Sequence, residues 1–157
     1  MPATPAHLSI KSPLGDLTLF ENEGAIVALE WGRAPGGTET PLLKRASREL
    51  ADYFSGRRTT FTIPLAPNGT AFQKKVWREM AKIPCGRTRT YGELAKKIGS
   101  GPRAVGGACG KNPIPVLVPC HRVLGANGRL GGFSAPGGTE TKARMLAIES
   151  KINSKKR

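Results

Sequence analysis

The sequence is poor in the residues that build disulfide frameworks and metal sites. It has three cysteines, Cys85, Cys109 and Cys120, an odd number with no CxxC pair among them. That argues against a disulfide scaffold and against a structural zinc site. Its only histidines are His7 and His121. No apolar run is long enough to span a bilayer, so no membrane partner is expected. The N-terminus lacks the basic segment and apolar core of a secretion signal. These absences lead to the expectation of a cytoplasmic protein, nucleoid-associated if its source is bacterial or archaeal.

Acidic residues are scarce in one half only. Residues 1–68 hold seven Lys/Arg and seven Asp/Glu, whereas residues 69–157 hold eighteen Lys/Arg against four Glu, which accounts for the whole net charge of +14. A cationic excess confined to one half favours a polyanionic partner, nucleic acid ahead of a surface that is basic only for solubility. With 157 residues, 38% of them hydrophobic, the chain can bury a core, while 20 Gly and 13 Pro call for many turns.

Along the chain, His7–Lys11, Leu17–Phe20 and Ala25–Trp31 alternate as strands of a short antiparallel meander. Residues 33–40 read as a loop. Pro41–Phe54 carries Leu42, Leu43, Ala46, Leu50 and Phe54 at helical spacing, and Thr59–Leu65 reads as a further strand. The turn Ala66-Pro67-Asn68-Gly69 marks a boundary between a 1–68 scaffold domain and a 69–157 domain. Thr70 with Gln73, and Thr90 with Glu93, form two capping boxes. The first opens a helix with Phe72, Val76, Met80 and Ile83 on its apolar face, and the second a helix ending at Gly99. After Ser100-Gly101-Pro102 comes the small-residue run Arg103–Gly110, which reads as the second helix of a helix-turn-helix. Its three glycines each cost a helix about 1 kcal/mol relative to alanine, so a Gly-rich loop stays open. Asn112–Pro119 is expected to be rigid and extended, because its prolines fix φ and forbid helix. A last helix spans Thr139–Ile152, with Glu149 on the same stripe as Met145 and Ile152. A carboxylate there requires a partner.

Cys120 is the candidate nucleophile. Cysteine reacts as thiolate, and the adjacent His121 can take its proton, with Glu149 holding the histidine in one tautomer: a Cys–water–His–Glu relay. Spacing alone leaves an inert structural cysteine equally open.

Pro119-Cys120-His121-Arg122-Val123, preceded by Asn112-Pro113, resembles the active-site signature of O6-alkylguanine-DNA alkyltransferases. Phe72-Gln73, Val76-Trp77, Ile83-Pro84, Tyr91-Gly92-Glu93-Leu94-Ala95, Arg103-Ala104-Val105-Gly106, Gly131-Gly132-Phe133-Ser134, Lys142, Leu146 and Glu149 follow the family's order. Residues 70–149 resemble the family almost continuously, and residues 1–68 resemble its more variable N-terminal domain. The resemblance implies an α+β fold: a small N-terminal antiparallel sheet with a helix, ribonuclease-H-like, then a helical C-terminal domain with a helix-turn-helix.

It also implies single-turnover repair, in which Cys120 takes the alkyl group from guanine O6 (less so thymine O4) in duplex DNA without any metal or organic cofactor. By position, His121 deprotonates Cys120 through a water, Glu149 orients His121, Tyr91 gives a proton toward guanine N3, and Asn112 is a polar hinge. Tyr91, Val123, Phe133 and Ser134 line the base pocket. Arg103 fills the gap left by the flipped nucleotide, and Ala104, Gly107, Ala108, Lys111, Arg122, Thr70, Phe72 and Gln73 complete the DNA surface. The small residues allow close approach in the minor groove. A monomer is expected, with cooperative assembly on DNA left open.

The turn Ser100-Gly101-Pro102 is shorter than the family's, Phe133 replaces a common tyrosine, and the N-terminal zinc site of some relatives finds no ligands here beyond His7. Three rivals are weighed: a lesion-binding relative without the cysteine, which this chain keeps; an alkylation-sensing regulator, which carries a cysteine-rich metal domain absent here; and a cysteine hydrolase, which turns over.

Overall fold

The computed structural model describes residues 6–130 and 137–155. Strands β1 (Ala6–Ile10), β2 (Leu17–Asn22) and β3 (Ala25–Trp31) form an antiparallel sheet in the order β1-β2-β3. Leu8, Leu19 and Leu29 align across it, so the period-2 pattern builds one apolar face. The central strand is buried on both faces. Leu17 and Leu19 pack inward, while Thr18 on the other face donates to Gly32 O and accepts from Ala34 N, which fastens the 33–40 loop over the sheet.

Helix α1 (Pro41–Phe54) starts at Thr40, whose hydroxyl accepts from Leu43 N. It buries Leu43, Ala46, Leu50 and Tyr53. The buried stripe therefore ends on Tyr53 and not on the expected Phe54. Residues 59–65 form no strand; only Leu65 bridges to Ile26. The cause is local. Glu49 of α1 captures Thr62 through its hydroxyl (2.5 Å) and through its backbone N (2.8 Å), a donor a ladder would need, and Pro64 has no N–H to offer.

Helix α2 (Ala71–Ala81) opens with the Thr70/Gln73 capping box, both halves formed. Its buried face is Val76, Trp77 and Met80; Phe72, expected on that face, is 37% exposed. Trp77 takes the place because its indole N–H donates to Ala108 O at 2.8 Å, which ties α2 to the later helix. After the two-residue strand β4 (Arg89–Thr90), helix α3 (Tyr91–Ile98) begins on the Thr90/Glu93 capping box and ends at left-handed Gly99. Helix α4 (Pro102–Gly110) follows within three residues, with Pro102 in its first turn where a missing N–H costs nothing. The short turn thus completes a helix-turn-helix, and the Gly-rich run is helical.

Residues 112–119 are not extended. They fold back on themselves through Val118 N to Ile114 O (2.9 Å) and a bridge between Pro115 and Val118. Val116, buried and β-branched, sits at φ 75°, a conformation few such residues adopt. Proline fixes φ but leaves ψ free, so prolines alone do not dictate extension. Residues 120–122 form a 3-10 turn, leading into β5 (Val123–Leu124), which pairs in parallel with β4. Helix α5 (Thr139–Lys155) closes the described chain. Buried apolar residues of both halves join in one core, and Leu29 N donates to Pro113 O across them.

A Cβ at Gly69 would lie 2.7 Å from both Gln73 Oε1 and Trp77 Cζ3. Trp77 is pinned by its bond to Ala108 and cannot yield. Gly69→Ala is therefore expected to destabilise the fold by about 1–3 kcal/mol. Thermal melting reads this as a drop of roughly 2–4 °C per kcal/mol; an unchanged midpoint would show that the ring moves freely.

Candidate active site

Cys120 opens the 3-10 turn, its backbone N bonded to Val118 O at 2.8 Å, with its side chain almost wholly buried. Asn112 shapes the loop beneath it. Its Nδ2 donates to Val118 O (2.9 Å), its Oδ1 accepts from Ile114 N (3.0 Å), and it hydrogen-bonds the Cys120 thiol. Asn112 immediately follows α4 and Lys111, so this one amide joins the helix to the cysteine turn.

Behind the cysteine lies Glu149 of α5, fully buried. Its Oε2 accepts from His121 Nε2 (2.6 Å), Tyr53 Oη (2.5 Å) and Arg122 Nη2 (2.9 Å). Its Oε1 accepts from Arg122 Nε (2.9 Å) and Gly86 N (3.2 Å). The remaining Arg122 Nη1 donates to Ile83 O at 2.7 Å. Burial by itself would raise the Glu149 carboxyl, but the hydrogen bonds and charges of His121 and Arg122 outweigh it and hold the group well below the usual carboxylate range. The carboxylate the sequence left needing a partner thus has five donors.

His121 is also fully buried, and burial lowers its pKa in spite of Glu149. A neutral imidazole facing a carboxylate keeps its proton on Nε2. Nδ1 is then bare, and among the described residues it has no hydrogen-bond partner. Burial pushes the Cys120 thiol up, opposed by the Asn112 hydrogen bond and the charge of Lys142. A thiol so placed needs a base to ionise. Lys142, fully buried on α5, has no hydrogen-bond partner for its ammonium among the described residues, and the ammonium stands 5.9 Å from the centre of the Tyr91 ring. Burial and then the charges of Cys109 and Cys120 raise the pKa of Tyr91, so its phenol keeps its proton. The set comprises a buried thiol, a bare ring nitrogen, a protonated phenol and a cation, and among the described residues no group of His, Cys, Asp or Glu could hold a metal.

Residues 71–151 match the model of the 6-O-methylguanine DNA methyltransferase DNA-binding domain, and residues 7–67 match that of the family's ribonuclease-like domain. The chain belongs to the 6-O-methylguanine DNA methyltransferase family. It is 42% identical over 149 residues to a methylated-DNA–protein-cysteine methyltransferase of Methanosarcina acetivorans, covering 88% of this chain and 94% of that one. It is 41% identical over 156 residues to the constitutive enzyme of that name from Bacillus subtilis, covering 91% and 94%. Among solved structures it resembles Mycobacterium tuberculosis OGT in complex with DNA, with a TM-score of 0.83, 39% identity and 93% of each chain covered.

On this family member, Arg103, Ala104 and Gly107 of α4 are exposed and Lys111 follows them at the surface, with no atom within 4 Å of where a Gly107 Cβ would be. Thr70 and Phe72 are exposed at the start of α2, and Gln73 is half-buried in the capping box. Two residues expected on the DNA surface are elsewhere. Arg122 is only 6% exposed, because its guanidinium is consumed by Glu149 and Ile83 O. Ala108 faces the core, its carbonyl held by Trp77. Val123 is fully buried beside the cysteine turn. Phe133 and Ser134 lie outside the described residues. Sequence reasoning missed the roles of Tyr53, Lys142 and the Gly86 amide; only Tyr53 left a signal, as the tenth residue after Leu43 on the buried stripe of α1.

His121 and Glu149 set the acid limit of the fold. The imidazole is depressed below its ordinary 6.5, so below that pH the unfolded chain takes up a proton the native state refuses. Glu149 is depressed below its ordinary 4.5, so its contribution is complete above that pH and lost as pH falls further. Stability should therefore fall in two stages on acidification, each by at most about 1.4 kcal/mol per pH unit per proton. Denaturant unfolding from pH 7.5 to 4 checks it; stability constant from pH 7 to 5 would mean that His121 is protonated in the native state.

Proposed function

We propose that this protein repairs DNA by moving an alkyl group from guanine O6, and less readily from thymine O4, to Cys120, once per chain. The observation that carries the reading is the His121–Glu149 pair, which leaves an imidazole nitrogen without a partner among the described residues, on the residue next in sequence to a thiol whose burial disfavours ionisation. His121 takes the Cys120 proton through a water, and Lys142 favours the thiolate as it forms. The sulfur displaces guanine at the alkyl carbon: one C–S bond forms, one C–O bond breaks, and in the balance the thiol proton ends on the base. Tyr91 supplies a proton toward N3 as O6 departs, so no anionic base leaves. The thioether is a poor leaving group, so turnover stops there.

A thiol this buried cannot reach O6 inside a stacked duplex, which requires the nucleotide to be flipped. The exposed face of α4 approaches the minor groove through Ala104 and Gly107, Arg103 fills the vacated stack, and Lys111, Thr70, Phe72 and Gln73 hold the backbone. Val123 bounds the base pocket. One chain carries one complete set of these groups, so the repairing unit is the monomer.

Mixing the protein with duplex DNA bearing O6-methylguanine should add one methyl to Cys120, saturating at one per chain in intact and peptide mass spectra. Cys120→Ala should lose transfer and keep DNA binding. Binding without added mass would make the chain a lesion sensor, and multiple turnover of ester substrates would make it a hydrolase. Arg103→Ala should slow repair of duplex DNA at least tenfold while leaving reaction with the free alkylated base unchanged. Equal rates on the duplex would remove Arg103 from the flipping step.

A further inference from the structure

Tyr53 belongs to α1 in the N-terminal half, 96 residues from Glu149, yet its hydroxyl donates to the same carboxylate oxygen that receives His121 Nε2. Its ring is fully buried and held by Phe54, edge-on at 5.1 Å, and by Phe61 at 5.4 Å. Burial, with the charge and hydrogen bond of Glu149, keeps the phenol protonated, so it is always a donor. A buried tyrosine needs a partner for its hydroxyl, and a backbone carbonyl would satisfy that need. Here the partner is the one group that orients the base.

We propose that Tyr53 is a positioning residue of the alkyl-transfer reaction, fixing Glu149 Oε2 where it must meet His121 and drawing off part of its negative charge. The inference rests on the repair reading above. Three donors converge on Oε2, from His121, Tyr53 and Arg122. Each takes a share of the charge that would otherwise stabilise an imidazolium. Tyr53 thereby helps keep His121 neutral and able to accept a proton, and it stops the carboxylate rotating so that Nδ1 stays turned away from Glu149. Around this carboxylate the titratable and charged groups are His121 and Arg122 on the 3-10 turn, Tyr53 on α1, Cys85 in the loop after α2, and Lys142 on α5 itself. Only the Tyr53 hydroxyl can be removed without changing net charge or ring packing. The N-terminal half thus contributes a side chain to the chemistry of the C-terminal half.

The test is Tyr53→Phe in the full chain, with two readouts. The first is the rate of Cys120 benzylation by free O6-benzylguanine from pH 5 to 9, which requires no DNA. The second is the titration of the His121 ring followed by NMR, with His7→Gln used to assign the two histidines. Without the phenol, Glu149 is more basic at Oε2, so His121 should titrate at least half a pH unit higher. The acid limb of the rate profile should move up with it, and the plateau rate should drop about fivefold. A merely structural tyrosine would lower the melting temperature and move neither titration. Benzyl transfer with an unmoved His121 titration and rate profile would overturn the role of Tyr53 alone. No benzyl on wild-type Cys120 would overturn the repair reading, and the role of Tyr53 with it.

Discussion

A carboxylate shut away from water organises this molecule. Glu149 would be intolerable where it sits if its two oxygens were not shared among His121, Tyr53, Arg122 and the Gly86 amide. Those donors come from three places in the chain, α1, the loop after α2 and the cysteine turn, and Arg122 is held in turn by the carbonyl of Ile83. Losing Arg122, the charged partner, would cost about 3–5 kcal/mol, because the charge left behind is uncompensated. Packing α5 against α1 is therefore the same event that brings Tyr53, His121 and Arg122 onto one carboxylate.

The second constraint is the loop that carries the nucleophile. Asn112 satisfies the backbone at Ile114 and Val118 from one side chain, and the segment folds tightly enough to hold Val116 in a left-handed conformation. The loop is anchored on one side to β3 through Leu29 and on the other to α4, whose exposed face is the DNA-facing surface of the proposal. A displacement of α4 on DNA would be felt at Cys120 through one amide.

Much of the local architecture was legible before the tertiary contacts were known, for identifiable reasons. Both capping boxes formed because each is a contract between residues three apart. The sheet registered as its alternation required. Thr59–Leu65 failed as a strand because Glu49, ten residues before its start, captured Thr62. Arg122 was expected on the DNA surface by its position in the family's order, and Ala108 because small residues suggest close approach. Both faced inward for lack of any sequence signal giving the direction of a side chain in irregular or Gly-rich backbone. The family membership rests on motifs spread in order over most of the chain, which composition could not supply.

By itself the sequence determined the helices and the three-stranded meander, since periodicity and caps act over a few neighbours, and it singled out Cys120, His121, Glu149 and Tyr91 as candidates for chemistry. Only the tertiary structure decided that His121 met Glu149 and through which nitrogen, that Arg122 bonded the same carboxylate, and that a tyrosine from the other half reached it. Burial and hydrogen-bond partnership are properties of distant segments brought together, and no local pattern encodes them.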